Sequence, residues 1–590
     1  MRILGISAHY HDSAAALVVD GVPVCAVQEE RLSRRKNDPA FPLSSIEWCL
    51  ERAGLQPGQL DAVVFYEKPM LKFERILTMG LRGFPRTAAS LPRAMQSALG
   101  GKLWVKGIIA SELGVRPERI LFTEHHQAHA AMAFLTAPTR RAAILTADGV
   151  GEWATLSVGM GQIGDSGQVD LRLLREIRFP DSLGMLYSTF TAWLGFPVNE
   201  GEYKLMGLAS YGRPTFADRV RAMVRRTADG GFSLDLSYFE FHLSARRSYS
   251  RKFVDVFGDA HDPGDPIDLE TDTGRHYADV AASVQLVLEE TLVDLARALQ
   301  RETGMAELCF GGGVALNGRA NARILRESGF SRVFVPSAPG DAGCALGAAL
   351  VADRLHFRRP HQEVPDHPFW GPVADPVELA RIAAEDSLPF EDAGGDHESI
   401  SRLAGELCDG RIVGLVEGAA ELGPRALGHR SILAAPNDAA MRDRLNRSIK
   451  FREEFRPFAP AVPIESASRY FDLPPGGERL GRFMSGVFPV RPEWQRRLAA
   501  VTHVDGTARV QTVERSMAPR FHALLEEVGR RTGIPVLLNT SFNLAGEPIV
   551  TSAIEAYSTF RRSGIDLLAC GPALVWKPAA AAARERELAS

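Results

Sequence analysis

The chain has 590 residues, which is too long for a single hydrophobic core, so the sequence predicts two or more domains. Hydrophobic residues make up 45% of the chain and charged residues 24%, as in ordinary soluble globular proteins. The net charge of -4 excludes a global electrostatic attraction to nucleic acid or to anionic membranes.

The first residues enter a strand pattern directly, with no signal peptide before it, and no apolar run is long enough to span a bilayer. The six cysteines are scattered and have neither metal-ligand nor redox spacing, which favours buried thiols in a reducing compartment. We therefore expect a cytoplasmic protein that has neither nucleic acid nor membrane as a partner.

Two stretches of the chain share a plan of three strands joined by short turns. The apolar runs cover 2–8, 14–19 and 22–28 in the first stretch, and 142–147, 154–160 and 171–177 in the second. In each, the first turn carries an aspartate beside small residues. A duplicated unit of this kind is the ground plan of the actin/hexokinase/Hsp70 superfamily. The pattern predicts an α/β fold with an actin-like N-terminal domain of two duplicated halves; two unrelated α/β segments are the alternative.

Other segments complete the predicted organisation. Residues 67–110 and 215–270 are expected to be insertions, and residues 201–212 a glycine-punctuated loop that carries Lys204. The proline-rich stretch 356–375 is a candidate linker. The predicted domains are therefore 1–355 and 376–590.

A histidine-rich stretch, EHHQAHA, opens a predicted helix. His125 and His129 are four residues apart and share one helix face, so both imidazoles can bind one metal ion. Asp148 and Asp341 each follow a buried strand at a glycine turn and are candidate further ligands. Such a set suits Fe²⁺, with Mn²⁺ or Zn²⁺ also compatible. A helix N-terminus that happens to be rich in histidine, with ordinary turn aspartates, is the alternative.

The first turn of the first meander carries a candidate general base. His11 follows the first strand, and an imidazole there could accept a proton from an attacking hydroxyl near neutral pH, with Asp12 orienting it. Gly312 and Gly313 end another strand, where backbone N–H groups can approach a phosphate or ribose closely. Together with the glycine-rich helix start at Asp341, they form a credible nucleotide cradle.

Basic residues in the C-terminal region stand at glycine, proline and asparagine turns, where guanidinium and ammonium groups suit capture of phosphate or carboxylate. They are Arg425, Arg430, Lys450, Arg452, Arg456 and Arg509. A solvated basic face is the alternative. Apolar residues and prolines alternate with these charges, as in Arg456-Pro457-Phe458, which favours partial burial.

The motifs taken together resemble the O-carbamoyltransferase family, which acts on nodulation factors and on antibiotics such as cephamycin and tobramycin. They are HYHDSAAAL, EERLSRRK, EHHQAHA, ADGVGE, KLMGLA, GGGVALN, GDAGCALGAA, GPRALGHRS, KFREEFRPFAP and NTSFNLAGEP. The resemblance implies an actin-like N-terminal domain similar to the tRNA threonylcarbamoyl transferase, and a YrdC-like C-terminal domain. It implies that the C-terminal domain forms carbamoyl-adenylate from carbamoyl phosphate and ATP with Mg²⁺, and that a substrate hydroxyl attacks this intermediate in the N-terminal cleft.

The resemblance also implies roles for individual residues. His125, His129, Asp148 and Asp341 match the family's metal ligands, and His11 matches its catalytic histidine. Asn317 matches a nucleotide contact of the family. With Lys204, Gly312 and Gly313, which the residue pattern itself suggests, it makes up the expected nucleotide-binding set of the N-terminal domain. Those expected to bind carbamoyl phosphate and adenylate in the C-terminal domain are Arg425, Lys450, Arg456, Arg509, Asn539 and Ser541.

Three functions compete at this point. The first is a metal- and ATP-dependent carbamoyltransferase for a small hydroxylated acceptor in natural-product or antibiotic biosynthesis. The second is a tRNA threonylcarbamoyl-transfer enzyme, against which the balanced charge and the GPRALG and FRPFAP elements argue. The third is a non-catalytic actin-like nucleotide switch, which leaves the histidine pair and the basic C-terminal cluster unexplained. The acceptor cannot be read from the sequence, and a homodimer is the default assembly.

Overall fold

The computed structural model describes residues 1–88, 90–244, 246–450, 453 and 455–582. Arg452 of the predicted basic cluster lies outside these residues, as do residues 583–590. The chain divides into two compact units. Unit 1 comprises Met1–Gln28 and Pro39–Pro365, and unit 2 comprises Glu29–Asp38 and Asp366–Ser590.

The segment Glu29–Asp38, which contains helix α1 (Glu29–Ser33), belongs to unit 2 although the sequence placed it in the first domain. Buried Arg31 donates from Nη2 to the carbonyl of Gly423 at 2.7 Å, and Arg34 donates to the carbonyls of Pro548 and Ile549 at 2.9 and 2.8 Å. These arginines satisfy turn carbonyls far along the chain, which local sequence patterns do not report.

Unit 1 is built around two five-stranded sheets with the same strand order and pairing sense. The first sheet has the order β3-β2-β1-β4-β5, and the second has the order β8-β7-β6-β11-β12. In each sheet the three strands of the meander pair antiparallel. The first strand of the meander then pairs in parallel with a fourth strand, which pairs in parallel with a fifth. The predicted duplication is confirmed. The strands are β1 (Arg2–Ser7), β2 (Ala14–Val19), β3 (Val22–Gln28), β4 (Ala62–Phe65), β5 (Ile120–Phe122), β6 (Arg141–Ala147), β7 (Ala154–Ile163), β8 (Val169–Arg178), β9 (Val224–Arg226), β10 (Phe232–Leu234), β11 (Glu307–Gly311) and β12 (Arg332–Phe334).

Helices pack against these sheets and fill the two predicted insertions. They are α2 (Leu43–Arg52), α3 (Pro69–Arg82), α4 (Leu91–Leu99), α5 (Val105–Leu113), α6 (His125–Leu135), α7 (Leu183–Trp193), α8 (Glu202–Leu208), α9 (Ala217–Arg221), α10 (Arg251–Phe257), α11 (Asp272–Thr303), α12 (Gly318–Glu327) and α13 (Asp341–Val351). Among the described residues, none of the helices of either unit is both long and apolar enough to cross a bilayer.

The predicted loop at 201–212 is wrong, because most of it forms helix α8 and the 3₁₀ turn Ala209–Tyr211. Leu205, Gly207 and Leu208 are buried, and the helix packs against α11. Tertiary packing therefore overrides the low helix propensity of the glycines.

Unit 2 contains an eight-stranded mixed sheet in the order β14-β24-β23-β15-β17-β22-β18-β21 and two short ribbons, β13-β16 and β19-β20. Its strands are β13 (Phe369–Val373), β14 (Phe390–Asp392), β15 (Val413–Val416), β16 (Ala419–Glu421), β17 (Arg430–Ala434), β18 (Ala459–Pro463), β19 (Val487–Pro489), β20 (Thr507–Arg509), β21 (Gln511–Val513), β22 (Leu537–Ser541), β23 (Leu567–Cys570) and β24 (Ala573–Trp576). Its further helices are α14 (Pro376–Glu385), α15 (Asp396–Cys408), α16 (Ala439–Leu445), α17 (Ala467–Tyr470), α18 (Gly477–Gly481), α19 (Pro492–Gln495), α20 (Pro519–Thr532) and α21 (Ala553–Arg562).

Candidate functional site

Two histidines of helix α6 bring their ring nitrogens together in unit 1. The Nε2 atoms of His125 and His129 lie 3.1 Å apart, and both side chains are buried. Successive turns of one helix produce this approach, as the four-residue spacing predicts. Two imidazoles can converge in this way on one cation, each offering the lone pair of its Nε2.

Two carboxylates meet the same pair of nitrogens. Asp148 Oδ2 lies 3.2 Å from His125 Nε2 and 2.9 Å from His129 Nε2, and Asp341 Oδ1 lies 3.6 and 3.5 Å from them. One potential ligand atom from each of the four residues lies within 4.8 Å of every other. The second oxygen of Asp341, Oδ2, is buried and has no hydrogen-bond partner within the described residues. Two neutral imidazoles, two carboxylates and an unpartnered buried oxygen fit a divalent cation.

Close packing of α13 against α6 carries Asp341 to this place. A Cβ atom added to Gly347 would lie 2.0 Å from the carbonyl oxygen of Ala128, so only glycine lets the two helices come so near. Asp341 is the first residue of α13, while Asp148 directly follows β6. Parallel pairing of β6 with β11 also brings Gly312 to the same edge.

The charges of the site act on one another. Burial would lower the pKa of His129, but the neighbouring Cys344 and the carboxylates of Asp148 and Asp341 outweigh it, and the pKa is raised. Burial would raise the pKa of Asp148, yet hydrogen bonds with His125 and His129 hold it well below its usual range. Without a metal ion, His129 and Asp148 therefore favour a charged pair.

Two neighbours of this group, Glu152 and Cys344, were missed by the sequence reasoning. Glu152, in the ADGVGE motif, accepts the backbone N–H of His125 at 3.1 Å and so caps α6. Cys344 Sγ lies 3.2 Å from Nδ1 of His129. His126 points elsewhere, with Nδ1 2.7 Å from Thr146 Oγ1, and burial lowers its pKa to about 3.

The candidate base lies in the turn after β1. His11 Nδ1 is 3.1 Å from Asp12 Oδ2, the contact expected of an orienting carboxylate, and the Tyr10 ring centroid is 4.4 Å from that of His11. Burial would lower the pKa of His11, but the hydrogen bond with Asp12 and the charges of Asp341 and Asp148 raise it to about 9. The turn therefore lies within electrostatic reach of the four-residue group.

The predicted nucleotide residues have separate environments. Gly312, at a φ of +92°, passes so close to β6 that a Cβ atom would lie 2.2 Å from the carbonyl of Ala147. A Cβ on Gly313 would be 3.0 Å from Asp148 Oδ1. Lys204 Nζ lies 5.5 Å from the ring centroid of Phe196. Gly312 thus lies beside Ala147 and Gly313 beside Asp148, and their nucleotide role stays a prediction.

The Asn317 side chain forms structural hydrogen bonds. Its Oδ1 accepts the N–H of Ala320 at 3.0 Å, which caps α12, and its amide pairs reciprocally with that of Gln285 at 2.9 and 3.0 Å. These bonds account for its burial without a ligand, so its nucleotide contact also stays a prediction.

In unit 2, Lys450 and Ser541 are brought together. Lys450 Nζ donates to the Ser541 carbonyl at 2.5 Å and to the Asn543 carbonyl and Oδ1 at 3.0 and 2.9 Å. Asn543, in the NTSFN motif, was not among the expected site residues. The three oxygens are hydrogen-bond acceptors that hold the ammonium in position.

The buried amide of Asn539 connects the other predicted segments. Its Nδ2 donates to the Ala426 carbonyl at 3.1 Å and to Gln511 Oε1 at 2.6 Å, and its Oδ1 is buried with no hydrogen-bond partner in the described chain. Ala426 follows Arg425, and Gln511 stands two residues after Arg509. Asn539 therefore links, through hydrogen bonds, the two segments that carry Arg425 and Arg509.

Two other arginines have partners of their own. Arg456 Nη1 lies 3.6 Å from Glu453 Oε2. Arg430 is fully buried and donates to five backbone carbonyls, those of Thr551, Glu417, His429, Pro372 and Gly418. The expectation that Arg430 captures phosphate or carboxylate is therefore wrong, because its donors hold turns of unit 2 together.

A second group of metal-capable side chains, Glu465, His522 and Glu526, also lies in unit 2. Both carboxylates are exposed, and Arg515 Nη2 donates to Glu526 Oε2 at 2.6 Å. Exposed carboxylates are common without a metal ion, and Arg515 already engages one of these.

Sequence comparison identifies the family. The profile described as carbamoyltransferase N-terminus matches residues 2–350, and the profile described as carbamoyltransferase C-terminus matches residues 404–577. The chain is 37% identical to nodulation protein NolNO of Sinorhizobium fredii over 96% of this chain and 79% of that protein. It is 41% identical to the uncharacterized protein sll1178 of Synechocystis, over 96% and 95% of the two chains.

Among solved structures, HypF of T. kodakarensis aligns with 59% of this chain and 47% of its own, at 16% identity and a TM-score of 0.29. A likeness this low identifies neither fold nor activity. The sequence matches, in contrast, cover most of both units. The chain therefore belongs to the carbamoyltransferase family and is a carbamoyltransferase enzyme.

Proposed function

We propose that the protein is an ATP- and metal-dependent O-carbamoyltransferase that modifies a hydroxyl of a small natural-product acceptor. In unit 2, which we take to be YrdC-like, carbamoyl phosphate is hydrolysed to carbamate and phosphate. The carbamate oxygen then attacks the α-phosphorus of ATP, bound with Mg²⁺, and releases pyrophosphate to form carbamoyl-adenylate. In unit 1 the acceptor oxygen attacks the carbamoyl carbon, and AMP leaves.

One observation carries this proposal: the ring nitrogens of His125 and His129 converge with the carboxylates of Asp148 and Asp341 in a chain of the carbamoyltransferase family. Such a donor set favours Fe²⁺ and accepts Mn²⁺ or Zn²⁺. When bound, the metal would supply Lewis-acid polarisation of the carbamoyl carbonyl.

The residues of unit 1 supply the proton transfer. Because Asp12 engages Nδ1 of His11, the other ring nitrogen can accept the acceptor's hydroxyl proton as the new C–O bond forms. The elevated pKa of His11 requires that the imidazolium first lose its own proton. Gly313 has no side chain where a Cβ atom would lie 3.0 Å from Asp148 Oδ1, which lets its backbone lie beside Asp148 and suits the approach of the nucleotide part of the intermediate.

In unit 2, the Lys450 ammonium is held by Ser541 and Asn543, where it can neutralise phosphate charge. The unpartnered Oδ1 of Asn539 can accept a hydrogen bond from an amino group of carbamate or adenine. Arg425, Arg456 and Arg509 complete the proposed binding set for carbamoyl phosphate and adenylate.

A tRNA threonylcarbamoyl-transfer activity is the alternative within similar chemistry. The net charge of -4 supports a small acceptor over RNA. A non-catalytic nucleotide switch would give no reason for the four converging metal ligands.

Two assays test the proposal. The wild-type enzyme should release pyrophosphate from ATP only when carbamoyl phosphate is present, and His129→Ala should strip most of the metal measured by elemental analysis while keeping this release. His126→Ala is the matched control, because His126 stands on the same helix outside the ligand group and should keep its metal. Full metal content in His129→Ala would refute the assignment.

The separation of half-reactions is tested with Arg509→Ala. This variant should lose pyrophosphate release yet still carbamoylate an acceptor when supplied with preformed carbamoyl-adenylate. Normal pyrophosphate release by the variant would contradict the assignment to unit 2. A panel of hydroxylated natural products with radiolabelled carbamoyl phosphate would identify the acceptor, and labelled tRNA in that panel would favour the alternative.

A further inference from the structure

Helix α3 turns an arginine toward the interior of unit 1. Its buried residues are Arg75 and Gly80, whereas Arg82, at the end of the same helix, is exposed. Arg75 is 9% exposed, and its Nε is buried with no hydrogen-bond partner in the part of the chain that the structure describes. The guanidinium carbon lies 5.1 Å from the ring centroid of Phe179. Burying a guanidinium N–H without a hydrogen-bond acceptor is costly, and an anionic ligand would satisfy it.

The nearby carboxylates are engaged elsewhere. Glu67 accepts both of its hydrogen bonds from Lys72 Nζ, at 2.8 and 3.0 Å. Glu152 accepts the backbone N–H groups of Lys68 and His125, at 2.8 and 3.1 Å. Burial lowers the pKa of Arg75 to about 10, with Glu67, Tyr10 and Glu152 opposing the shift, so Arg75 stays protonated near neutral pH.

The arginine lies in the neighbourhood of the reaction centre. Glu152 caps the helix that carries the metal-candidate histidines, and the Tyr10 ring adjoins that of His11. Burial and the negative charges of Asp148 and Asp341 raise the pKa of Tyr10. Tyr10 in turn influences the pKa of Arg75. Arg75 therefore lies within electrostatic reach of side chains that border the proposed reaction centre.

We propose that Arg75 binds the phosphate of carbamoyl-adenylate and stabilises the charge that develops on AMP as it leaves. This inference rests on the proposed function, in which the phosphate oxygen is bonded directly to the carbamoyl carbon. The bond between that carbon and oxygen breaks, and its electron pair stays on AMP. A planar guanidinium can donate two parallel hydrogen bonds to such a phosphate, more strongly as its charge grows.

The test follows AMP near the metal site. Mn²⁺ loaded at the histidine pair should accelerate the ³¹P relaxation of AMP in the wild-type enzyme. Arg75→Gln should weaken AMP binding about ten- to hundredfold, the loss expected for charge-assisted hydrogen bonds. Arg75→Lys should recover part of it, since the charge remains. The matched control is Arg82→Gln, the exposed arginine of the same helix, which should behave as the wild type.

An equal apparent AMP affinity in Arg75→Gln and wild type would overturn the proposal, as would wild-type enzyme with bound Mn²⁺ that leaves AMP unrelaxed. Calorimetric titration with AMP is the second measurement and needs no metal: the variant must lose one AMP site, and identical isotherms contradict the proposal. Pyrophosphate release distinguishes failure of the proposed function from failure of the role assigned to Arg75. If wild type releases none, the proposed function fails; if wild type and Arg75→Gln both release it but bind AMP alike, only the role of Arg75 fails.

Discussion

Nδ1 of His129 lies 3.2 Å from Sγ of Cys344, on the side of the imidazole opposite to the nitrogen that faces Asp148 and Asp341. Helix α13 supplies both Asp341 and Cys344, one helical turn apart. One helix therefore offers a ligand and also holds the ring of another ligand. The thiol stands where a carboxylate or carbonyl more often orients a metal-binding histidine.

Cys344→Ala should lower divalent-metal affinity by about ten- to hundredfold, because removing the partner of a ligating histidine loosens its ring. Competition with a chelating dye measures the affinity, and Cys344→Ser should restore most of it. Cys309→Ala removes another fully buried thiol of unit 1 and should leave the affinity unchanged. Wild-type affinity in Cys344→Ala would show that the thiol only fills space.

His11→Ala should keep pyrophosphate release and metal content but lose transfer by about 10²–10⁴-fold, the usual contribution of a positioned base. Transfer at the wild-type rate would assign the base to another residue, and His9, which lies in the same turn after β1, would be the next to test. The matched control is His126→Ala, which replaces another buried histidine with a hydrogen-bonded ring. The enzyme carrying this substitution should retain its metal.

The pH profile of carbamoyl transfer should differ between the site without a metal ion and the site with a bound divalent cation. The pKa of His11 in the folded protein is about 9, above the ordinary value of 6.5. Protonated His11 therefore stabilises the folded state fully below about pH 6.5, and this stabilisation is lost as the pH rises through about 9. The rate of carbamoyl transfer should therefore rise with pH. The ascending limb of its pH profile should lie near 9 if no cation neutralises the carboxylates of Asp148 and Asp341. A bound dication should move the limb down toward the 6.5 of a free imidazole. A limb that does not move when metal is added would contradict this electrostatic link.

Lys450→Ala should abolish pyrophosphate release and leave metal content intact, because its ammonium is held by Ser541 and Asn543 in unit 2. Lys577→Ala is the matched control: Lys577 also donates to a backbone carbonyl of unit 2, that of Ser563, and belongs to no proposed site. Equal loss in both variants would indicate a general effect on the stability of unit 2.

Arg31→Ala should destabilise unit 2 by about 1–3 kcal/mol, since it leaves the buried Gly423 carbonyl without its charged donor. Hydrogen exchange should quicken in peptides that cover 423–430, the turn that carries Arg425. Arg35→Ala, an exposed residue of the same segment, should change stability by less than about 0.5 kcal/mol. Unchanged exchange in Arg31→Ala would refute the structural role of this segment in unit 2.

Local periodicity was enough to predict several features of this protein. The four-residue spacing of His125 and His129 determined that they share a helix face, because a helix repeats about every 3.6 residues. Repeated apolar runs and turn residues predicted the two meanders, whose matching strand orders confirm the duplication. The family resemblance came from motifs distributed along most of the chain.

Tertiary structure decided what these patterns could not. Burial against α11 made a helix of the predicted loop at 201–212, and close approach of α13 to α6 carried Asp341 to the histidines. Arg430 and Arg75 are both buried arginines, yet one donates to five carbonyls while Nε of the other has no partner in the described chain. The sequence cannot separate them, because the partners of a buried charge are chosen by residues distant in the chain.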